Sequence, residues 1–306
     1  QTVTVTGVDD TDEDGHQGYG ISLSAPNQPG VTDNHPVVTT FAGSGSSGFQ
    51  DATGTSAKFK NPWGIVSDGT NLYVVDTENN LIRKIVISTG VVTTLAGSGS
   101  LGYANGTGTN ATFHHPRGIT TDGTNLYVAD SQKIRKIVIS TGLVSTVASG
   151  FDYPRGITIV GTNLYVTDTQ SYRIRKIVIS TGVVTTFAGA GTPGTTDGTG
   201  TSAKFNFPMG ITTDNGTNLY VSDTNNSRIR KIVISTGVVT TLAGSSQGYT
   251  DATGTSAEFN TPRGITTDGT NLYVTDGNNH KIRKIVISTG VVTTLAGSSQ
   301  GYTDAT

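Results

Sequence analysis

One passage of the chain, NPWGIVSDGTNLYVVDTENNLIRKIVISTGVVTTLAG at residues 61–97, returns four more times with few changes. Each copy opens on a proline, and the intervals between these prolines are 54, 38, 54 and 54 residues: Pro62, Pro116, Pro154, Pro208 and Pro262. A repeated unit of this size cannot bury its apolar surface alone, so successive units must pack on one another. The short interval arises because only Phe151, Asp152 and Tyr153 stand where the other copies carry a long linker.

Each copy contains four strand signals, which in the first copy fall at residues 64–66, 72–75, 82–87 and 91–95. Asp68-Gly69 and Ser88-Thr89-Gly90 are typical of tight turns between them. The runs are β-branched and aromatic, and no helical period is present. Apolar residues occupy both faces of the second and third strands, so both faces of each sheet must be covered. Four-stranded sheets stacked around an axis meet this need, which predicts an all-β fold, a β-propeller of four-stranded blades with five regular blades.

The pattern FxxPxGIxxDGxxLYVxDxxNxxIRKI, followed by VxTLAG, resembles the NHL repeat, as does the linker GYTDATGTSAEF at residues 248–259. The resemblance covers about residues 37–306. It implies a propeller that usually closes with six blades and mostly mediates binding to proteins, carbohydrate or RNA. A few relatives with this repeat are metal-dependent lyases.

The N-terminal region does not carry the repeat. Residues 1–30 are expected to form a β-hairpin segment, and residues 31–306 the propeller. The hairpin resembles the end of a Calx-β-like or immunoglobulin-like surface domain. Residues 37–43, VVTTFAG, match a fourth strand without the three strands that should precede it. The hairpin and this strand could form an irregular sixth blade in the same chain, the hairpin could pair with a neighbouring subunit, or the chain could belong to a longer array.

Strand direction identifies the face of the propeller that can bind. In an antiparallel blade, the turn between the second and third strands lies at the same end as the linkers between blades. These turns and linkers vary between copies, so binding is expected at this linker face. The weak candidates for it follow the repeated prolines: Trp63, Arg117, Arg155, Met209 and Arg263.

The other recurring charges are predicted to be structural. An aspartate ends each second strand and is expected to form an Asx-type turn. An Arg-Lys doublet lies in each third strand, and one member is expected to lie against the adjacent blade and pair with an aspartate. The alternative is a positive ring for RNA or an acidic glycan. Nucleic acid is disfavoured because 20 basic residues face 22 acidic ones.

No catalytic motif is visible, and the protein is predicted not to be an enzyme. The five histidines show no repeated spacing with carboxylates, and the chain has no cysteine. The acidic turn Asp10-Thr-Asp12-Glu-Asp14-Gly has the form of a calcium loop, although Ile21 occupies the place of its bidentate glutamate. A Ca²⁺ ion at Asp10, Asp12 and Asp14 is therefore the one possible cofactor.

Composition completes the functional hypothesis. The chain is rich in Gly, Thr and Ser, has few charges, and contains no apolar run long enough to span a bilayer. We expect a non-catalytic extracellular or cell-surface module with a structural or adhesive role, possible self-assembly into a filament, and no membrane insertion. Its partners would be copies of itself, other surface proteins or glycans. The alternative is a module that binds carbohydrate or a protein partner on the linker face.

Overall fold

The computed structural model describes residues 39–297, and within them five four-stranded antiparallel sheets follow one another along the chain. Blade 1 consists of β1 (Pro62–Ser67), β2 (Asn71–Asp76), β3 (Leu81–Val86) and β4 (Val92–Ala96). Blade 3 consists of β10 (Pro154–Val160), β11 (Asn163–Asp168), β12 (Arg173–Val178) and β13 (Val184–Ala188). Blade 5 consists of β19 (Pro262–Thr267), β20 (Asn271–Asp276), β21 (Lys281–Val286) and β22 (Val292–Ala296).

Blades 2 and 4 carry one extra two-residue strand each, contributed by the preceding linker. Their strands are β5 (Gly106–Thr107), β6 (Pro116–Thr121), β7 (Asn125–Asp130), β8 (Lys133–Val138), β9 (Leu143–Ser149), β14 (Gly198–Thr199), β15 (Pro208–Thr213), β16 (Asn218–Asp223), β17 (Arg228–Val233) and β18 (Val238–Ala243). Short 3-10 turns occupy Gly54–Ser56, Thr77–Asn79, Gly108–Asn110, Thr169–Ser171, Gly200–Ser202, Thr224–Asn226, Gly254–Ser256 and Gly277–Asn279. None of these described turns has the length and apolar character of a membrane-crossing helix.

The core lies between the blades, as the apolar pattern of both strand faces predicts. Between blades 1 and 2, Tyr73 and Ile82 of one sheet cluster with Leu126 of the next sheet and with Phe113 of the linker before it, and all four side chains are buried. Equivalent clusters fill the other three spaces between consecutive blades. The predicted all-β propeller with five four-stranded blades is thus confirmed, and the strand positions differ from the sequence prediction by one or two residues.

The inner strands of consecutive blades lie side by side, in the order β1, β6, β10, β15 and β19. Within the described part of the chain, β1 and β19 do not pack in this way, and the outward face of blade 5 is partly open. Tyr273, Ile282 and Ala296 are partly exposed there, whereas their counterparts in blades 1 to 4 are buried.

The irregular sixth blade is not confirmed. The predicted hairpin at residues 1–30 lies outside the described residues. Of the predicted strand at 37–43, residues 39–43 are described, and they form no strand. Ala42 is buried and packs with Leu72 and Val74 on the face of blade 1 that points away from blade 2. The reason for the difference is that no described strand lies beside residues 39–43 to form a ladder.

Candidate binding site at the mouth of the axis

The five candidate residues lie around the axis, because each occupies the second position of an innermost strand. A glycine follows each of them, and at the first four of these glycines the next blade approaches closely. A Cβ on Gly64 would overlap the carbonyl oxygen of Arg117, and one on Gly210 would overlap that of Arg263. Gly118 and Gly156 meet the next blade in the same way. The candidates therefore stand next to one another, blade by blade.

Their side chains contact one another at the linker end of the axis. The Arg117 guanidinium lies 4.2 Å from the centre of the Trp63 ring, and that of Arg155 lies 5.2 Å from it. Arg155 Nη1 lies 3.5 Å from Met209 Sδ. Such guanidinium–indole contacts are favourable by about 0.5–2 kcal/mol, depending on solvent exposure. We call this group, with Arg263, the mouth cluster: Trp63, Arg117, Arg155, Met209 and Arg263.

The mouth cluster concentrates positive charge without matching negative charge. Among the described residues, no carboxylate lies within ion-pair distance of Arg117, Arg155 or Arg263. Burial and the neighbouring Arg117 and Arg263 lower the pKa of Arg155 to about 10. Burial also lowers the pKa of Arg117; Arg263 adds to this effect, while Glu78 opposes it. A bound anion would relieve the repulsion between these guanidinium groups.

Sequence reasoning missed the residues that precede the prolines. They differ in every copy, and all adopt the left-handed conformation with φ between 49° and 54°: Asn61, His115, Tyr153, Phe207 and Thr261. Non-glycine residues in this region carry strain, which the surrounding structure must hold. The sequence did contain a signal: the triplets NPW, HPR, YPR, FPM and TPR are the variable part of an otherwise constant repeat. Variation within the repeat is thus also found at the mouth.

The recurring aspartates and arginines pair with each other, but the Asx-type turn predicted for the aspartates is wrong, because Asp76 accepts no hydrogen bond from the backbone amides of the turn that follows it. Asp76 Oδ2 lies 2.8 Å from Arg83 Nη1, and both side chains are fully buried. Asp76 Oδ1 accepts the Lys60 amide at 2.7 Å, which joins the linker to the end of β2. This contact confirms that both lie at one end of the blade. The aspartate belongs to the arginine's own blade, because strand pairing brings the two together across β2 and β3.

The possible calcium site cannot be placed, since Asp10, Asp12 and Asp14 lie outside the described residues. Within residues 39–297, no group of three or more His, Asp or Glu side chains is arranged to hold a metal ion.

Comparisons with known proteins identify the repeat. The NHL repeat family profile matches residues 205–232. The chain is 31% identical to Protein SUPPRESSOR OF QUENCHING 1, chloroplastic, of Arabidopsis thaliana, over 83% of this chain and 27% of that protein. It is 39% identical to human NHL repeat-containing protein 2 over 33% of this chain and 15% of that protein. The chain thus spans about a quarter or less of the length of these relatives.

Solved structures support the fold. A structural genomics protein of unknown function from Bacteroides thetaiotaomicron aligns with a TM-score of 0.65 at 22% identity, over 86% of this chain and 64% of that one. Virginiamycin B lyase from Staphylococcus aureus aligns with a TM-score of 0.50 at 19% identity, over 76% of this chain and 69% of that one. These identities establish the architecture alone.

The predicted extracellular or cell-surface location is wrong. One relative is a chloroplastic protein, and a chloroplast lies inside the cell. The abundance of Thr, Ser and Gly has a structural reason instead: these residues form the tight turns and the outer strands of every blade. With its matching repeat profile, its NHL repeat-containing relatives and its stacked four-stranded blades, the chain carries the NHL repeat in a β-propeller fold.

Proposed function

We propose that this propeller is a non-catalytic binding module, and that its ligand is an anion held by the mouth cluster on the linker face. The observation that supports the proposal is the group of three arginines at the mouth, two of them against Trp63, with no carboxylate at ion-pair distance among the described residues. Everywhere else in the blades, the repeated arginine is paired with a buried aspartate. Within residues 39–297, the structural arginines are thus compensated by carboxylates and those at the mouth are not.

The side chains at the mouth fit a carboxylate. Guanidinium groups bind carboxylates through paired, charge-assisted hydrogen bonds. Met209 and the edge of Trp63 supply apolar surface beside the charge. A carboxylate on a sugar or on an acidic peptide meets both conditions, and both agree with a role in binding carbohydrate or protein.

The experiment measures binding of uronate oligosaccharides and glutamate-rich peptides to the protein by titration calorimetry, at two salt concentrations. We expect binding that weakens with salt and falls at least tenfold in the double variant Arg117→Gln/Arg155→Gln. Lys84→Gln is the control. Lys84 lies in mid-strand opposite Tyr73, so this substitution removes one positive charge at a position away from the mouth. A double variant that is folded and binds like the unmodified protein would contradict the proposal.

Self-assembly is a second candidate, and the partly open face of blade 5 favours it. Tyr273 and Ile282 are partly exposed on a face that is buried in the other blades. Light scattering at increasing concentration tests this role, and a constant monomer mass would exclude it. Filament formation through residues 1–30 involves residues outside the described range and stays a prediction.

Calcium binding at Asp10, Asp12 and Asp14 also stays a prediction. It predicts a lower melting temperature in the presence of EGTA. An unchanged melting temperature on chelation would contradict this prediction.

A further inference from the structure

Blade 3 differs from the other blades at the outer edge of its fourth strand. In the other four, the linker that precedes the blade runs along this edge. In blades 2 and 4 it forms β5 on β9 and β14 on β18, and in blades 1 and 5 it forms the bridges of Thr53 with Val91 and of Thr253 with Val291. The three-residue linker of blade 3 ends this pairing, so the outer edge of β13 has no strand beside it within the described residues.

Blade 5 shows what a linker contributes to such an edge. The Val292 amide donates to the Ala252 carbonyl at 2.8 Å, and the Gly254 amide donates to the Gly290 carbonyl at 2.8 Å. The Asp251 side chain then joins the edge to the buried arginine. Its Oδ2 accepts the Thr294 amide at 2.9 Å, and its Oδ1 lies 2.6 Å from Arg283 Nη2.

Blade 1 repeats these contacts with its own linker. The Val92 amide donates to the Ala52 carbonyl at 2.8 Å, and the Thr94 amide donates to Asp51 Oδ2 at 3.0 Å. Arg83 Nη2 lies 2.5 Å from Asp51 Oδ1. The pattern therefore belongs to the repeat and is not an accident of one blade.

The same groups in blade 3 lack these partners. No described residue accepts a hydrogen bond from the amides of Val184 and Thr186 on the outer edge, and none donates to the Gly182 carbonyl. Among the described residues, Arg175 forms one ion pair, with Asp168 at 3.2 Å, and its guanidinium lies 6.0 Å from the centre of the Phe151 ring. Its side chain is 20% exposed, where the equivalent arginines of the other four blades are fully buried. Val184 is likewise partly exposed, whereas Val92 is buried.

We propose that the edge of β13 is a docking site for an extended segment of another polypeptide that carries an aspartate. The segment would add to the sheet as a further strand, with its carbonyl and amide groups bonded to Val184 and Gly182. Its aspartate would bind the Thr186 amide and Arg175, as Asp251 does in blade 5. An acidic side chain is specified because the groups that lack a partner among the described residues are the Thr186 amide and Arg175 Nη2, both of which are donors.

The probe is the labelled peptide GYTDATGTSAE, the sequence of residues 248–258, followed by fluorescence anisotropy and by hydrogen exchange at individual amides. We expect saturable binding and slower exchange at Val184 and Thr186. A peptide with the aspartate replaced by alanine should bind at least tenfold more weakly, because the contacts to Arg175 and Thr186 are lost. The protein variant Arg175→Met should show the same loss.

The matched control is an insertion. Placing the sequence of residues 245–258 between Gly150 and Phe151 gives blade 3 a linker of the blade 5 type, which should occupy the edge within the chain. We expect this variant to protect the Val184 and Thr186 amides at least tenfold and to lose peptide binding.

Three results would overturn the proposal. In the first, the folded insertion variant exchanges these amides as fast as the unmodified protein. In the second, it binds the peptide equally well. In the third, the unmodified protein forms a dimer that the insertion abolishes, while no peptide binds, which would assign the edge to a second copy of the chain.

Discussion

At the scale of single residues, the turn between the first two strands of a blade depends on one carboxylate. Asp68 Oδ1 accepts the amides of Thr70 and Asn71 at 2.9 and 2.7 Å, and Oδ2 accepts the Tyr73 hydroxyl at 2.8 Å. Asp122, Asp214 and Asp268 repeat these contacts with the tyrosine of their own blades. The sequence indicated this turn from Asp-Gly alone. The bond to the tyrosine, five residues away, is a tertiary contact that the local pattern does not contain.

The first prediction concerns Asp68→Asn. Burial alone would raise the pKa of Asp68, but hydrogen bonds from Asn71, Thr70 and Tyr73 lower it to about 2. Because this folded pKa lies below the unfolded value of about 3.9, the carboxylate stabilises the fold above pH 4, and the contribution is lost as pH falls towards 2. After a discount for partial solvent exposure, we expect the variant to lose about 1–2 kcal/mol at pH 7.

Urea unfolding at pH 7, 4 and 2.5 measures this effect. The difference between the two proteins should shrink as pH falls, to about a third of its pH 7 value at pH 2.5. Asp152→Asn, which changes an exposed aspartate, serves as the control and should have little effect. An equal loss at every pH would show that the charge is not responsible.

At the scale of elements, strands were predictable and linkers were not. The strands of each blade are local runs with tight turns, so the sequence places them within one or two residues. The linker sequences predict loops, yet in the structure the long linkers pair with the fourth strand of the blade that follows. Thr53 pairs with Val91 although the first three strands of the blade lie between them in the sequence. Such pairing depends on the tertiary fold and not on residues that are neighbours in the sequence. For the same reason, the open edge of blade 3 becomes visible only in the structure.

The second prediction uses a difference between linkers. Blade 2 carries Asn105 where three other blades carry aspartate, and its amide oxygen lies 3.0 Å from Arg135 Nη2. The arginine is the only ionised partner of this bond, and a carboxylate there would turn it into an ion pair between opposite charges. We therefore expect Asn105→Asp to raise the free energy of unfolding by about 0.5–1 kcal/mol at pH 7, since the site is partly exposed.

The reverse change in blade 5 is the companion experiment. Asp251→Asn should lower the free energy of unfolding by a similar amount, because the ion pair with Arg283 would be lost and the bond to the Thr294 amide would become neutral. Chemical denaturation of both variants at pH 7 gives the comparison. Changes of the same sign in the two variants would contradict the argument.

At the scale of the whole molecule, the five blades form an arc with two unlike ends. The mouth candidates could be chosen from sequence because they follow the repeated prolines, but their convergence on Trp63 depends on the radius of the ring. The ring's closure could not be predicted, because the repeat pattern specifies how a blade meets its neighbour and not how many neighbours there are. The glycines of the inner strands distinguish an interface at which the next blade is present from one at which it is absent.

The last prediction compares two glycines at the same position of the repeat. A Cβ on Gly210 would overlap the Arg263 carbonyl of the next blade, and it would lie 3.0 Å from Ile265 Cγ2. A Cβ on Gly264 in blade 5 would meet only Thr275 of its own blade, at 3.2 Å from Oγ1. We expect Gly210→Ala to destabilise the protein by about 2–3 kcal/mol, because the two blades must separate. Gly264→Ala should cost less than about 1 kcal/mol, since a side-chain hydroxyl can move aside. Thermal and urea unfolding of both variants measure the contrast. Equal destabilisation would mean that another blade covers Gly264 in solution and that the ring is closed there.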